Sequence, residues 1–115
     1  EYQPLPSRPM PSEMTHCVLI AEDAPDSVAK RMSVREPHMA RVRSFAKDGT
    51  LAMGGALLGT QGEMVGSVVV TRHPTEEEAR AFWAEDPYVT AGVWQQMRLF
   101  PTRFAPLPYK PLPRP

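Results

Sequence analysis

Apolar and polar positions along this chain change period several times, and each change marks an element. His16-Cys17-Val18-Leu19-Ile20-Ala21 is a short apolar run rich in β-branched residues and predicts a strand. Ala24-Pro25-Asp26-Ser27 is a turn with helix-start chemistry. From Val28 to Lys47 the spacing is helical but interrupted at Pro37, which removes a backbone donor and clashes with the preceding turn. The expected result is a short first helix, a kink near Arg35-Glu36 and a second helix with Pro37 at its first position. Asp48-Gly49 ends that helix. Thr50 to Leu58 reads as a strand weakened by Gly54-Gly55, and Thr60-Gln61-Gly62-Glu63 as a hairpin loop. Val65 to Thr71 is the strongest strand signal. Thr75 with Glu78 forms a capping box for a helix whose buried stripe is Ala79, Phe82 and Trp83. That helix is expected to stop near Asp86, because the residue before a proline avoids helical geometry. Val93 to Phe100 is the last strand.

The order β-α-β-β-α-β is the split pattern of an α+β, ferredoxin-like fold with a four-stranded antiparallel sheet. Right-handed crossovers put both helices on one face. Val18 and Ile20 point to one side of the first strand, Cys17 and Leu19 to the other. On the last strand Val93, Met97 and Leu99 oppose Trp94 and Phe100. An antiparallel sheet apolar on both faces needs a second cover, and a partner subunit packing sheet against sheet supplies it; a homodimer is expected. Gly66 and the Gly54-Gly55 pair are positions where backbone can approach a ligand closely.

Proline is unevenly spread. Ten of the 14 lie at Pro4, Pro6, Pro9 and Pro11, and at Pro101, Pro106, Pro108, Pro111, Pro113 and Pro115. Residues 1–13 and 102–115 therefore read as proline-rich arms around a domain spanning 14–101, with Leu107 and Tyr109 giving the C-terminal arm something to bury. The 115 residues suffice for one core and not for two. Lys plus Arg and Asp plus Glu both number 13, so no basic footprint for nucleic acid or an anionic membrane exists. The single Cys17 excludes an intramolecular disulfide. No apolar run approaches a membrane span and no signal-peptide pattern opens the chain. A cytoplasmic location is expected, with organellar import left open because the first residue is Glu1 and the N-terminus reads as trimmed.

Two short motifs carry the candidate chemistry: Arg35-Glu36-Pro37-His38 and Asp86-Pro87-Tyr88. His38 shares a helical stripe with Val42 and Phe45, which turns its ring inward. Asp86 continues the stripe of Ala79 and Phe82. A carboxylate at a helix C-terminus has the wrong sign for the helix dipole, so it needs a partner, and His38 or Arg35 can be that partner. A His–Asp pair is the minimal acid/base dyad. The plain alternative is a core imidazole and a surface Asp-Pro turn. Arg35 suits an anionic substrate group; the plain alternative is a solvated arginine on a segment that also carries Arg31, Arg41 and Arg43. Ser67, after Gly66, can hydrogen-bond a ligand, but no hydrolase motif surrounds it. His16, His38 and His73 fall on separate elements with no metal-site spacing, and no phosphate or dinucleotide loop occurs, so neither metal nor cofactor is expected.

The blocks Arg35-x-x-His38 with Pro37 between, Gly49 followed by Gly54-Gly55, Gly66-Ser67, and Asp86-Pro87-Tyr88 followed by Ala91-Gly92-Val93 resemble the YCII (YciI-like) family of small dimeric α+β-barrel proteins. The resemblance covers roughly 15–100 and omits both arms. It implies sheets paired into a barrel and a site built on a His–Asp pair, here His38 and Asp86, with Ser67 and the neighbouring glycines in the cleft. Family members with an assigned activity act on small aromatic or lactone-like compounds, as in dehydrochlorination of a chlorinated hydroxyquinol, without nicotinamide or flavin.

The expectation is a cofactor-independent acid/base enzyme of lyase, isomerase or cyclase type, acting on a small oxygenated cyclic or aromatic metabolite. His38 and Asp86 would be catalytic; Arg35, Ser67, Gly54, Gly55 and Tyr88 would bind substrate. Two alternatives are a non-catalytic homodimer that binds a small ligand in the same cleft, and an interaction module working through its proline arms.

Overall fold

The computed structural model describes residues 14–113; the N-terminal arm expected over 1–13 and the last two residues of the C-terminal arm lie outside the described residues. The elements run β1 (Thr15–Asp23), α1 (Val28–Ser33), α2 (Arg35–Lys47), β2 (Leu51–Leu58), β3 (Met64–His73), α3 (Glu76–Ala84), α4 (Pro87–Thr90) and β4 (Trp94–Thr102). The four strands form one antiparallel sheet in the order β2-β3-β1-β4, as the ferredoxin-like reading requires.

Register separates the two faces. Leu19 lies opposite Val69 and Leu99, and Cys17 opposite Thr71, so these residues share the face under the helices. Leu19, Ala21, Val42, Val69, Trp83, Tyr88, Val93 and Trp94 form the core there. Val18, Ile20, Val68 and Val70 line the other face, which no helix covers, and Phe100 on it is 46% exposed.

Three local readings are corrected. The helix break falls at Val34, which ends α1 and begins α2, so Pro37 is the third residue of α2 and not the first. The first turn of a helix has no partner for its N–H groups, so a proline anywhere in it loses nothing. Helix α3 ends at Ala84, and Asp86 is not its C-terminal residue but the N-cap of α4, its side chain accepting from the Tyr88 N–H. That puts the carboxylate at the favourable end of a helix. Trp94 shares the helix-covered face with Met97 and Leu99, not the open face with Phe100. The register shifts between Glu22 and Asp23, a bulge that reverses the alternation at the start of β4.

Gly49 ends α2 in the left-handed region (φ +88°), where glycine is unstrained. Gly66 is pressed against the neighbouring strand and does not line the cleft beside His38. A Cβ there would stand 2.4 Å from the Ala21 carbonyl oxygen of the adjoining strand. Gly66→Ala must push β3 away from β1 and is expected to lower stability by about 1–3 kcal/mol, read as a fall in the urea midpoint. The C-terminal arm is extended; Phe104 stacks on His16, while Leu107 and Tyr109 stay exposed and do not pack on the body as expected.

Candidate active site

Both inward-turned motifs meet under the sheet. His38 Nδ1 donates to Asp86 Oδ1 across 2.7 Å. Asp86 is fully buried, and its carboxylate is satisfied on every side. The Tyr88 backbone N–H donates to Oδ1 at 2.9 Å, and the Arg41 guanidinium donates to Oδ2 at 3.2 Å. Arg41 is itself held by the Phe82 carbonyl and lies over the Phe82 ring at 4.3 Å. The imidazole is clamped between its hydrogen bond and aromatic packing: it stacks on Tyr88 (3.8 Å, 11°) and meets Trp94 edge-on. The carboxylate takes Nδ1, which fixes the tautomer and leaves Nε2 with no protein partner among the described residues.

Beside this dyad a cleft of about 320 Å³ opens between α2 and β2–β3. His38, Arg35, Ser67, Gly54, Gly55 and Tyr88 all line it. The bare backbone of Gly54 and Gly55 widens its floor, and a Cβ on Gly54 would stand only 3.1 Å from Val69. Three arginines, Arg31, Arg35 and Arg43, face the cleft and no carboxylate does. Arg43 reaches Glu36 only at 3.8 Å on the surface. Burial pushes the Tyr88 hydroxyl pKa upward, while the neighbouring Arg31 and Arg35 guanidinium groups pull against that.

Two arginines of the α1–α2 segment are given no role by sequence. Arg41 anchors the carboxylate. Arg31 is 4% exposed, pairs with Asp23, bonds Ser67 and lies 4.6 Å from the Tyr88 ring centre. Spacing could have found it, since Arg31, Arg35, His38 and Val42 follow one another at helical intervals. The other histidines stand elsewhere: His16 against Phe104, and His73 buried beside Phe82, where desolvation lowers its pKa. Among the described residues no cluster of His, Cys, Asp or Glu could hold a metal ion.

The family model for the YCII-related domain matches residues 14–103. The chain belongs to the YCII-related family. Among YCII-related proteins, Protein YciI of Escherichia coli is 33% identical over 90 residues, which span 73% of this chain and 92% of that one. Fusaric acid biosynthesis protein 2 of Gibberella moniliformis is 30% identical over 96 residues, 78% of this chain and 92% of its own length. A solved structure, 5-chloro-2-hydroxyhydroquinone dehydrochlorinase (TftG) from Burkholderia phenoliruptrix in complex with 2,5-dihydroxybenzoquinone, matches with a TM-score of 0.68 at 21% identity. The match covers 78% of this chain and 93% of that one. That likeness establishes a shared fold.

Proposed function

We propose that this YCII-related protein is an acid/base enzyme of lyase or isomerase type, acting on a small oxygenated cyclic or aromatic metabolite through His38 and Asp86. One observation carries the reading: an imidazole fixed at Nδ1 by a fully buried carboxylate lines a ligand-sized cleft, its other nitrogen unpartnered among the described residues. With Nδ1–H held by Asp86, Nε2 offers a lone pair to a substrate C–H or O–H proton. The imidazolium so formed is stabilised by Asp86 and can return that proton at another substrate atom. Isomerisation needs both transfers; elimination needs only the first, the leaving group departing with its bonding electrons. Arg35, for which no ion pair is found among the described residues, suits the anionic end of the substrate. The chemistry of the structural neighbour, a dehydrochlorinase that binds a dihydroxyquinone, is of this kind.

The test uses that neighbour's compounds. 5-Chloro-2-hydroxyhydroquinone is offered as substrate and chloride release measured; 2,5-dihydroxybenzoquinone is titrated while the His38 ring ¹⁵N signals are followed. Chloride release, with saturable movement of the Nε2 signal, is the expected result. A ring signal indifferent to the quinone would remove His38 from the site. Saturable binding without turnover of this or a lactone substrate would favour the non-catalytic alternative.

We also propose that a second copy covers the open sheet face. Val18, Ile20 and Val68 on the two central strands, with the exposed Phe100, form its apolar surface. Sedimentation should give a dimer, and Phe100→Asp should shift it toward monomer. A wild-type monomer at micromolar concentration would refute the pairing.

A further inference from the structure

Ser67 Oγ receives two hydrogen bonds, from Arg31 Nη2 at 3.1 Å and from Trp94 Nε1 at 3.2 Å. Guanidinium and indole N–H groups donate and never accept. A hydroxyl has two lone pairs and one proton, so both lone pairs of Ser67 are engaged and its proton must go elsewhere. No acceptor among the described residues takes it. Ser67 is 4% exposed and lines the cleft beside His38. Its hydroxyl is thus committed to donate, and a nucleophilic role would require freeing a lone pair from Arg31 or Trp94.

The arrangement is built from behind. Arg31 Nη1 donates to both oxygens of Asp23, at 3.0 and 2.9 Å, and the side chains of Arg31 and Asp23 are 4% and 5% exposed. The same guanidinium keeps a buried Nε–H with no acceptor among the described residues. The corner of the cleft at Ser67 therefore holds a donor proton that lacks an acceptor among the described residues, in walls that carry three arginines and no carboxylate. Buried donors left in that state point to a group that arrives from outside.

We infer that this corner is an oxyanion pocket: Ser67 Oγ–H donates to a phenolate or enolate oxygen of the substrate, and Arg31 and Trp94 are positioning residues that aim its proton into the cleft. The inference rests on the cleft being a small-molecule site, but not on His38 moving protons there. Fixed donors facing a site of developing negative charge stabilise it without reorganisation.

The probe pair is 4-nitrophenolate and its neutral isostere 4-nitrotoluene, with dissociation constants measured by NMR titration at a pH where the phenol is ionised. The wild-type protein should prefer the phenolate by about tenfold or more, the worth of one hydrogen bond to a charged oxygen. Ser67→Ala should lose that preference and bind 4-nitrotoluene unchanged, and Ser67→Thr should restore it. Trp94→Phe frees one lone pair and should erode the preference; it serves as the second readout where Ser67→Ala folds poorly. Wild-type indifference to charge, or a preference that survives Ser67→Ala or Trp94→Phe, overturns the inference. A preference lost in Ser67→Ala, in a protein that turns over no substrate, upholds this pocket and sinks only the acid/base reading.

Discussion

Asp86→Ala is expected to destabilise the protein by about 4 kcal/mol, because it removes the carboxylate shared by three donors. Truncating one partner of a buried ion pair usually costs about 3–5 kcal/mol, since the other charge is left unpaired. The lower end applies here because the Arg41 side chain is 17% exposed and can recover some hydration. Loss of the α4 N-cap adds a share of its own, about 1 kcal/mol in typical cases. Against a total stability of about 5–15 kcal/mol, the sum is a large fraction. A urea titration should show it as a strongly lowered midpoint with an unchanged slope. An unchanged midpoint would mean that the carboxylate is not the hub of this cluster.

Much of this hub was legible in sequence. Thr75 and Glu78 announced a capped helix, and the Thr75 hydroxyl does accept from the Glu78 N–H. The stripe His38–Val42–Phe45 turned His38 inward, a statement about local period that holds because α2 forms, whereas Asp86 lies beyond the end of α3 and owes its burial to the cap of α4 rather than to the stripe of Ala79 and Phe82. What spacing could not supply was anything decided by tertiary contact. The sign argument for Asp86 failed because a four-residue helix begins there, too short for any periodicity to reveal. Trp94 was placed on the wrong face because alternation carries no warning of a bulge, although that bulge delivers the indole to Ser67. Arg31 and Arg41 drew no role from the sequence because composition gives no sign of a paired guanidinium. Their carboxylates, Asp23 and Asp86, lie 8 and 45 positions away in the chain.

His38→Ala should separate chemistry from stability. The ring is nearly buried and stacks on Tyr88, so its loss gives up packing of about 1 kcal/mol beyond the area term. Asp86 keeps its bonds from Arg41 and the Tyr88 N–H, so no charge is stranded. Turnover should nevertheless fall by about 10²–10⁴-fold, the usual contribution of a positioned acid/base group. Asp86→Asn gives the complementary result. Because Oδ1 takes both the Tyr88 N–H and His38 Nδ1–H, the amide oxygen must stay there, and the variant keeps the ring's orientation but loses the negative charge that stabilises the imidazolium. That variant should lose turnover nearly as severely as His38→Ala while remaining more stable than Asp86→Ala. Taken together, the two separate a dyad from a structural hydrogen bond. A structural bond would make activity follow stability across the series, whereas a dyad makes the folded His38→Ala protein the inactive one. Wild-type turnover in His38→Ala would end the assignment.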